Sequence, residues 1–339
     1  YRPGSLKAAL CTRGRALLRD YCVEHDLPYR EAGKLVIAAS AEELDRLHAL
    51  EHSATANGVL GLRRIESDEI TEIEPAAVGR GALHSPRTAV TDFAAIARSF
   101  AKEIEAADSE IRLSTTVLGM RRSGSSVHVT TDRGEIRAGE VIACGGLQAD
   151  RLGRLAAGPA TPRIVPFRGE YLRVVPARQD LVRGLVYPVP DPRYPFLGVH
   201  FTRRVDGNLD IGPNAVLAGA REAYLQRILR VTDVRDTLAW PGFWRMARQH
   251  WRTGVREVAG SVSVRAYVRA ARAYVPDLRL ADVRRGPVGI RAQAVDRDGS
   301  LVDDFRIDVE DRITVVRNAP SPAATSSLAI AEWIVDRLT

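Results

Sequence analysis

Between residues 163 and 212 the chain carries three short runs of strand character, separated by turn-forming residues. They are Gly169-Glu170-Tyr171-Leu172-Arg173-Val174, Phe196-Leu197-Gly198-Val199-His200-Phe201 and Leu209-Asp210-Ile211-Gly212. This block limits the fold more than any other feature. Its strands read as antiparallel and meandering, and segments of mixed helix and strand character flank it on both sides. A module that is interrupted and then resumed predicts two domains with more than one crossing between them. Sites for small molecules form at such seams. With 339 residues, 45% of them hydrophobic, the chain has enough apolar surface for a sizeable core.

Upstream of the block, residues 5–23 read as a helix capped by Ser5, and residues 33–39 as a buried strand. Glu42 to Glu51 reads as a charged amphipathic helix, and Glu66 to Val78 as irregular and acidic. Thr91-Asp92 caps a helix on which Phe93, Ile96, Ala97, Phe100 and Ile104 form one apolar stripe. Ile111-Arg112-Leu113 reads as a short strand, and Val127 to Thr130 alternates. Asp132-Arg133-Gly134 makes a turn, and Glu135 to Ala143 is the return strand, ending in Cys144-Gly145-Gly146. Downstream, residues 219–275 read as helical, with Trp240, Trp244 and Trp251 as packing aromatics. Strands return near 286–293 and 313–317, and a helix from Ser326 to Leu338 closes the chain.

The net charge of +7 suits acidic substrates, phosphates or anionic lipid, and also suits a merely arginine-rich proteome. The arginines are scattered and no nucleic-acid-binding pattern accompanies them, so no nucleic-acid partner is expected. Cys11, Cys22 and Cys144 are too few and too odd in number for a disulfide framework, which points to a reducing compartment. No CxxC pair or other metal-ligand spacing occurs, so no metal is expected. No apolar run approaches the roughly 20 residues of a membrane span. Tyr1-Arg2-Pro3-Gly4 reads as mid-protein sequence, so the expectation is a fragment or a processed form.

Four segments together resemble the L-2-hydroxyglutarate oxidase/dehydrogenase family, a branch of the D-amino-acid-oxidase-like flavoenzymes. The first is Arg2-Pro3-Gly4-Ser5-Leu6-Lys7-Ala8, and the second Phe167-Arg168-Gly169-Glu170-Tyr171. The third runs from Tyr187-Pro188-Val189-Pro190-Asp191-Pro192 through Pro195 to Thr202 and on to Gly212-Pro213-Asn214-Ala215. The fourth joins Gly289-Ile290-Arg291-Ala292-Gln293 to Asn318 through Ser326. Their order and spacing cover essentially the whole chain.

The resemblance implies an α/β (α+β) fold. It would comprise a FAD-binding Rossmann-like domain of the D-amino-acid-oxidase type lacking its first strand, and an antiparallel-sheet substrate domain with a helical insertion. The expected division is 1–23, 85–162 and 284–339 for FAD, and 24–84 and 163–283 for substrate. The family's G-x-G-x-x-G turn, which seats the pyrophosphate on a helix N-terminus, has no counterpart in this sequence. The family's Ser/Gly/His-rich flavin-contacting segment, with its candidate base, is missing as well.

By the same resemblance, Arg291 clamps the substrate carboxylate, a task that suits the guanidinium fork. A dicarboxylate needs a second donor set, for which Arg168, Lys34, Tyr171, His200 and Thr202 are candidates. Arg168 reads equally as a structural ion pair, and Lys34 as a lysine that snorkels to solvent. His200 reads either as the proton acceptor or as a satisfied structural histidine. The FAD candidates are Val117 near the adenine, Cys144, Gly145 and Gly146 at a strand end, and Gly289 and Ile290. Pro320, Ser321, Ala323, Ala324 and Thr325 form a turn whose helix N-terminus would face the flavin pyrimidine. Gly145 departs from the alanine more usual in the family.

The implied reaction is oxidation of L-2-hydroxyglutarate to 2-oxoglutarate, with dioxygen or a quinone as electron acceptor. Another oxidase of the superfamily, acting on an amino acid or glycerol 3-phosphate, is the alternative, as is an inactive fragment without flavin. A cytoplasmic location is expected, compatible with peripheral contact at the inner face of the plasma membrane.

Overall fold

The structure is a computed structural model that describes residues 1–191, 198–224 and 228–338, with backbone only at 252, 253 and 255–262. The run Pro192 to Leu197, part of the third resembling segment and of the second expected strand, lies outside the described residues.

Helix α1 (Leu6–Glu24) begins where expected, with the Ser5 hydroxyl accepting from the Ala8 amide. It buries Leu10, Cys11, Gly14, Leu18 and Cys22 along one stripe. Strands β1 (Tyr29–Glu31) and β2 (Lys34–Ala38) lead to α2 (Ala41–Ala56) and β3 (Arg63–Glu66). The acidic run expected to be irregular forms α3 (Ser67–Ile73). Glu66 and Glu69 cap its start reciprocally, while Ile70 is its buried residue, so the helix shows no apolar period. Strands β4 (Gly81–Ser85) and β5 (Ala89–Thr91) precede α4 (Phe93–Ala106), where the Asp92 carboxylate accepts from Ala94 and Ala95 amides at 2.9 and 3.0 Å. The α4 stripe is less buried than its spacing suggests, for Ile96 is buried while Phe93 and Ile104 are exposed.

Residues 111–113 form no strand, and Leu113 is among the most exposed apolar residues. Pairing starts later, in the meander of β6 (Val117–Ser123), β7 (Ser126–Thr131) and β8 (Gly134–Ala138). The expected single return strand is broken at Gly139-Glu140. Beyond the break, β9 (Val141–Ala143) leaves the meander for another sheet.

After α5 (Ala149–Leu155) come β10 (Arg163–Val174), β11 (Leu185–Pro188), β12 (Phe201–Arg203), β13 (Leu209–Ile211) and β14 (Val216–Leu217). His200 therefore stands just before a strand rather than inside one. Of the expected helical stretch, α6 (Val231–Leu238), α7 (Pro241–Val262) and α8 (Val264–Ala271) are helical, whereas 219–224 and 228–230 are not. Trp240 is buried, but Trp244 and Trp251 are 57% and 59% exposed, so two of the three tryptophans expected to pack lie on the surface. The chain ends with β15 (Val283–Val295), β16 (Arg306–Glu310), β17 (Ile313–Asn318) and α9 (Ser327–Val335).

A nine-stranded sheet runs β14-β10-β13-β12-β11-β2-β4-β3, with β15 along the other edge of β10. The strands expected to meander do pair antiparallel, except that β11 and β2 are parallel. β15 pairs antiparallel with β10 from Arg163↔Val295 to Val174↔Val283. One face of this sheet, through Leu35, Ile37, Leu172, Val186, Phe201 and Ile211, packs with Tyr267, Val268 and Ala271 of α8. A second layer joins β16, β17 and β9, with β9 and β17 parallel. Its core includes Leu10 from α1, Phe305, Val316, and Ala329, Ile330 and Ile334 from α9.

Candidate active site

Strand register decides which polar residues meet. Opposite residues share a face of a sheet, and neighbours along a strand alternate. Leu35, Val186, Phe201, Ile211 and Leu172 occupy the α8 face. The other face therefore carries Lys34 on β2, Tyr187 on β11, Thr202 on β12, Asp210 on β13, and Tyr171 and Arg173 on β10. Phe167 lies opposite Arg291, which places Arg291 on this same face. Arg168 lies opposite Ile290, on the reverse. The two arginines are therefore not brought together. Arg168 is buried beside Glu170, 3.3 Å away, in a small cavity with Asn214, Tyr267 and Arg285.

The polar face is covered at its two ends. Around Val36, Ala38 and Leu83 it packs with Leu47 of α2, and around Val165 with Trp240, Phe243 and Met246. Between these ends lies a compact cluster. The Tyr187 and His200 rings stack at 4.2 Å and 26°. Lys34 Nζ sits 5.6 Å from the Tyr187 centroid, and the Arg204 guanidinium 5.1 Å from that of Tyr171. The Tyr187 hydroxyl is within hydrogen-bonding reach of the Thr202 side chain. Asp210, fully buried, accepts from Arg173 Nε at 2.9 Å and from Arg204 Nε at 2.9 Å.

Burial dominates the electrostatics here. It pushes His200 down from 6.5 to about 4, helped by the positive charges of Arg204 and Lys34 and opposed by the Gly198 carbonyl. That carbonyl lies 2.9 Å from His200 Nδ1, which identifies Nδ1 as the protonated nitrogen and leaves Nε2 as an acceptor. Burial also lowers the Lys34 ammonium and raises the Tyr187 hydroxyl. Glu74, at the end of α3, fixes the start of β11 by accepting from the Arg183 and Gly184 amides at 2.8 and 2.6 Å. Gly184 in turn lies close against the Ala32 and Gly33 carbonyls, so Glu74 holds the β2–β11 pairing that positions Lys34 and Tyr187.

A second group of residues borders Arg291. Burial lowers its guanidinium, and the negative charge of Asp303 opposes that effect. Asp303 pairs with Lys7 Nζ at 2.8 Å, and Lys7 lies 4.8 Å over the Tyr1 ring. Burial, and after it the charges of Cys11, Asp303 and Tyr187, raise the Tyr1 hydroxyl. Asn318 Nδ2 donates to the Val302 and Asp304 carbonyls at 3.0 and 2.9 Å. The turn after β17 is thereby fixed beside Asp303.

That turn holds Pro320, Ser321, Ala323, Ala324 and Thr325 and runs into α9. It lies against α1. A Cβ on Gly14 would stand 2.6 Å from both Ser326 Cα and the Thr325 carbonyl oxygen. Of the strand-end residues, Cys144 is exposed and Gly146 has φ +49° with open space around it. Gly145 faces α5, where a Cβ would meet Leu152 at 2.4 Å, so packing accounts for this glycine. Val117 packs partly against the meander core.

These residues fit a flavin. A Cβ on Gly289 or Gly146 would meet nothing within 4 Å, so open space adjoins the Arg291 strand and the end of β9. Arg291, two residues along the strand from Gly289, is a cationic donor bordering it.

Sequence reasoning missed Tyr187, Arg204, Asp210, Arg173 and Asp303. Tyr187 and Asp210 stood in quoted motifs, and period-two alternation from Thr202 would have reached Arg204. Asp303 carries no local signal, because it meets Arg291 through tertiary structure alone.

An open sheet face carrying Arg291 and bordered by a turn-to-helix entry fits the class of flavin-dependent oxidoreductases. The family described as FAD dependent oxidoreductase (DAO) matches residues 1–337, and the chain belongs to it. Within it, the chain groups with the L-2-hydroxyglutarate dehydrogenases. It is 42% identical to the human mitochondrial L-2-hydroxyglutarate dehydrogenase, with 100% of this chain and 77% of that protein covered. It is 38% identical to the L-2-hydroxyglutarate dehydrogenase of Indibacter alkaliphilus, with 99% and 86% covered. Among solved structures, the FAD-bound L-alpha-glycerophosphate oxidase of Mycoplasma pneumoniae shares the fold with a TM-score of 0.76 at 18% identity, covering 98% of this chain and 79% of that one. Glycine oxidase of Geobacillus kaustophilus shares it at 0.68 and 19%, covering 99% and 81%.

Proposed function

We propose that the chain oxidises L-2-hydroxyglutarate to 2-oxoglutarate. FAD, when bound over the open sheet face, supplies the acceptor for the hydride from C2. Arg291 holds the carboxylate next to the reacting carbon through a bidentate pair, which fixes which hydrogen faces the cofactor. His200 is neutral across the physiological range, and its Nε2 accepts a hydrogen bond from the substrate hydroxyl. A base at about 4 is far weaker than the operating pH favours, so orientation is its larger contribution. Tyr171, Tyr187 and Thr202 line the substrate, and Tyr187 and Thr202 help to exclude water. The turn Pro320–Thr325 would help to hold FAD, with Cys144, Gly146, Gly289, Ile290 and Val117 bordering it. Gly145 serves α5 instead.

The observation that carries this reading is that Arg291 shares one sheet face with Lys34 and Arg204, a cationic surface suited to a substrate with two carboxylates. The test is anaerobic flavin bleaching by a panel of L-2-hydroxyglutarate, its D-enantiomer, amino acids and glycerol 3-phosphate. Bleaching by an amino acid or glycerol 3-phosphate but not by L-2-hydroxyglutarate would defeat the reading.

The electron acceptor is dioxygen or a quinone. Peripheral contact with an anionic membrane is favoured by a surface on α6 and α7. Leu229, Val231, Leu238, Trp244 and Trp251 are exposed on these helices and the residues leading into α6, among Arg230, Arg235, Arg245 and Arg248, while Asp233 is buried against Arg151 and Asp236 pairs with the same arginine. Among the described residues, no helix is long and apolar enough to cross a membrane.

A further inference from the structure

We infer that Lys34, over the Tyr187 ring, and Arg204, over the Tyr171 ring, form the receptor for the distal carboxylate and set the preference for a dicarboxylate. This rests on the 2-hydroxydicarboxylate reading above. Arg168 is not available for the task, because it lies behind the ribbon that presents Arg291.

Charge balance is the first argument. Arg173 holds Asp210 in a two-pronged pair, at 2.9 and 3.2 Å, whereas Arg204 donates only its Nε to the same carboxylate. The Nη groups of Arg204 make no hydrogen bond among the described residues. Asp206 feels both arginines but is itself bonded to Asn208. Lys34 has no carboxylate within ion-pair distance among the described residues, and no neighbouring negative charge acts on it. Three cations thus face two carboxylates, which leaves one positive charge without a carboxylate partner among the described residues. His200 is neutral and Tyr187 keeps its proton, so neither supplies the missing negative charge. A substrate monocarboxylate held at Arg291 leaves it unmet, and a second carboxylate meets it.

Geometry is the second argument. Tyr171 and Tyr187 carry the two cations on their rings and wall the space between them. Towards Arg291 the floor is open at Gly289, where a Cβ would meet nothing within 4 Å, while Pro213 packs against Gly169 opposite it. A short methylene chain can lie there with one carboxylate at each end. Arg204 offers a planar donor pair and Lys34 a mobile point charge, which together tolerate small differences in carboxylate position.

The test measures glutarate and butyrate binding to the flavin-loaded enzyme by calorimetry, and turnover of L-2-hydroxyglutarate, in wild type, Arg204→Met and Lys34→Met. Wild type is expected to bind glutarate more tightly than butyrate. Each variant should lose about 10- to 100-fold in glutarate affinity, the scale of a lost hydrogen bond to a charged group, with butyrate affinity moving far less. The loss in L-2-hydroxyglutarate turnover should fall mainly on KM. Wild type without a preference for glutarate, or variants that keep it or lose both ligands equally, would overturn the inference. A wild type that prefers glutarate but does not oxidise L-2-hydroxyglutarate would sink the substrate reading alone, since the variants still report on the receptor.

Discussion

His200 allows a direct test of the electrostatics of the site. Its imidazole titrates near 4 in the fold and near 6.5 when free, chiefly because burial opposes the charged form. Arg204, Lys34 and the Tyr187 ring surround it, and none of them supplies a negative charge at neutral pH. Between those two values the unfolded chain takes up a proton that the folded chain refuses. Stability is therefore complete above pH 6.5 and falls as the pH drops towards 4. At about 1.4 kcal/mol per pH unit, the gap is worth about 3 kcal/mol. His200→Gln keeps a polar side chain of similar reach but cannot titrate. Urea unfolding of both proteins between pH 4 and 7.5 provides the assay, and groups other than residue 200 cancel in the difference. The stability difference between wild type and variant should move by about 3 kcal/mol across the window, in favour of the variant at low pH. Parallel curves would show that His200 titrates normally, and the buried, stacked neutral imidazole would then be wrong. The same result would remove the reason for treating His200 as a neutral acceptor.

Three further outcomes follow from packing and surface chemistry. Gly14→Ala forces a Cβ against backbone atoms of Thr325 and Ser326, so stability should fall by about 1–3 kcal/mol and flavin should be released more readily, as read by free-flavin fluorescence. Arg221 and Asp150 are each 2% exposed and bonded at 2.9 Å. Arg221→Met alone should cost about 3–5 kcal/mol, and adding Asp150→Leu should recover part of that loss in a double-mutant cycle. Replacing Trp244 and Trp251 together with alanine should abolish flotation with anionic vesicles while leaving flavin content unchanged; retained flotation would remove the α6–α7 surface from consideration.

Helix boundaries with a cap were legible, because a cap is a local event. Ser5 and Asp92 each accept from amides two or three residues ahead, and α1 and α4 begin where those residues stand. Elements without an apolar period were not legible. The α3 helix is held by reciprocal glutamate caps and one buried isoleucine, and β9 is three residues long with pairing supplied by β17, far along the chain. Trp244 and Trp251 fit an apolar period as well as Trp240 does, yet they are exposed while Trp240 is buried, its Nε1 donating to the Val295 carbonyl of β15 at 3.1 Å. Composition cannot separate these cases, because which turn of a helix meets the sheet is a tertiary fact.

The candidate site shows the same division more sharply. Arg291 and Arg168 both stood in motifs that the resemblance marked, and as types they serve a carboxylate equally well. A strand reverses its side chains at every residue, so the choice between them turns on whether Arg291 faces Phe167 or Arg168 across the ribbon. It faces Phe167, and that one-residue fact sends Arg168 to the α8 side. The register shift between Glu170 and Leu172 comes after this point and leaves it untouched. Tyr171, two residues beyond Gly169, therefore stays on the Arg291 side, and Arg204 stacks on its ring. On this face Arg173 is held in a two-pronged pair by Asp210, so the cations free to take a second carboxylate under the proposal are Lys34 of β2 and Arg204 in the turn after β12.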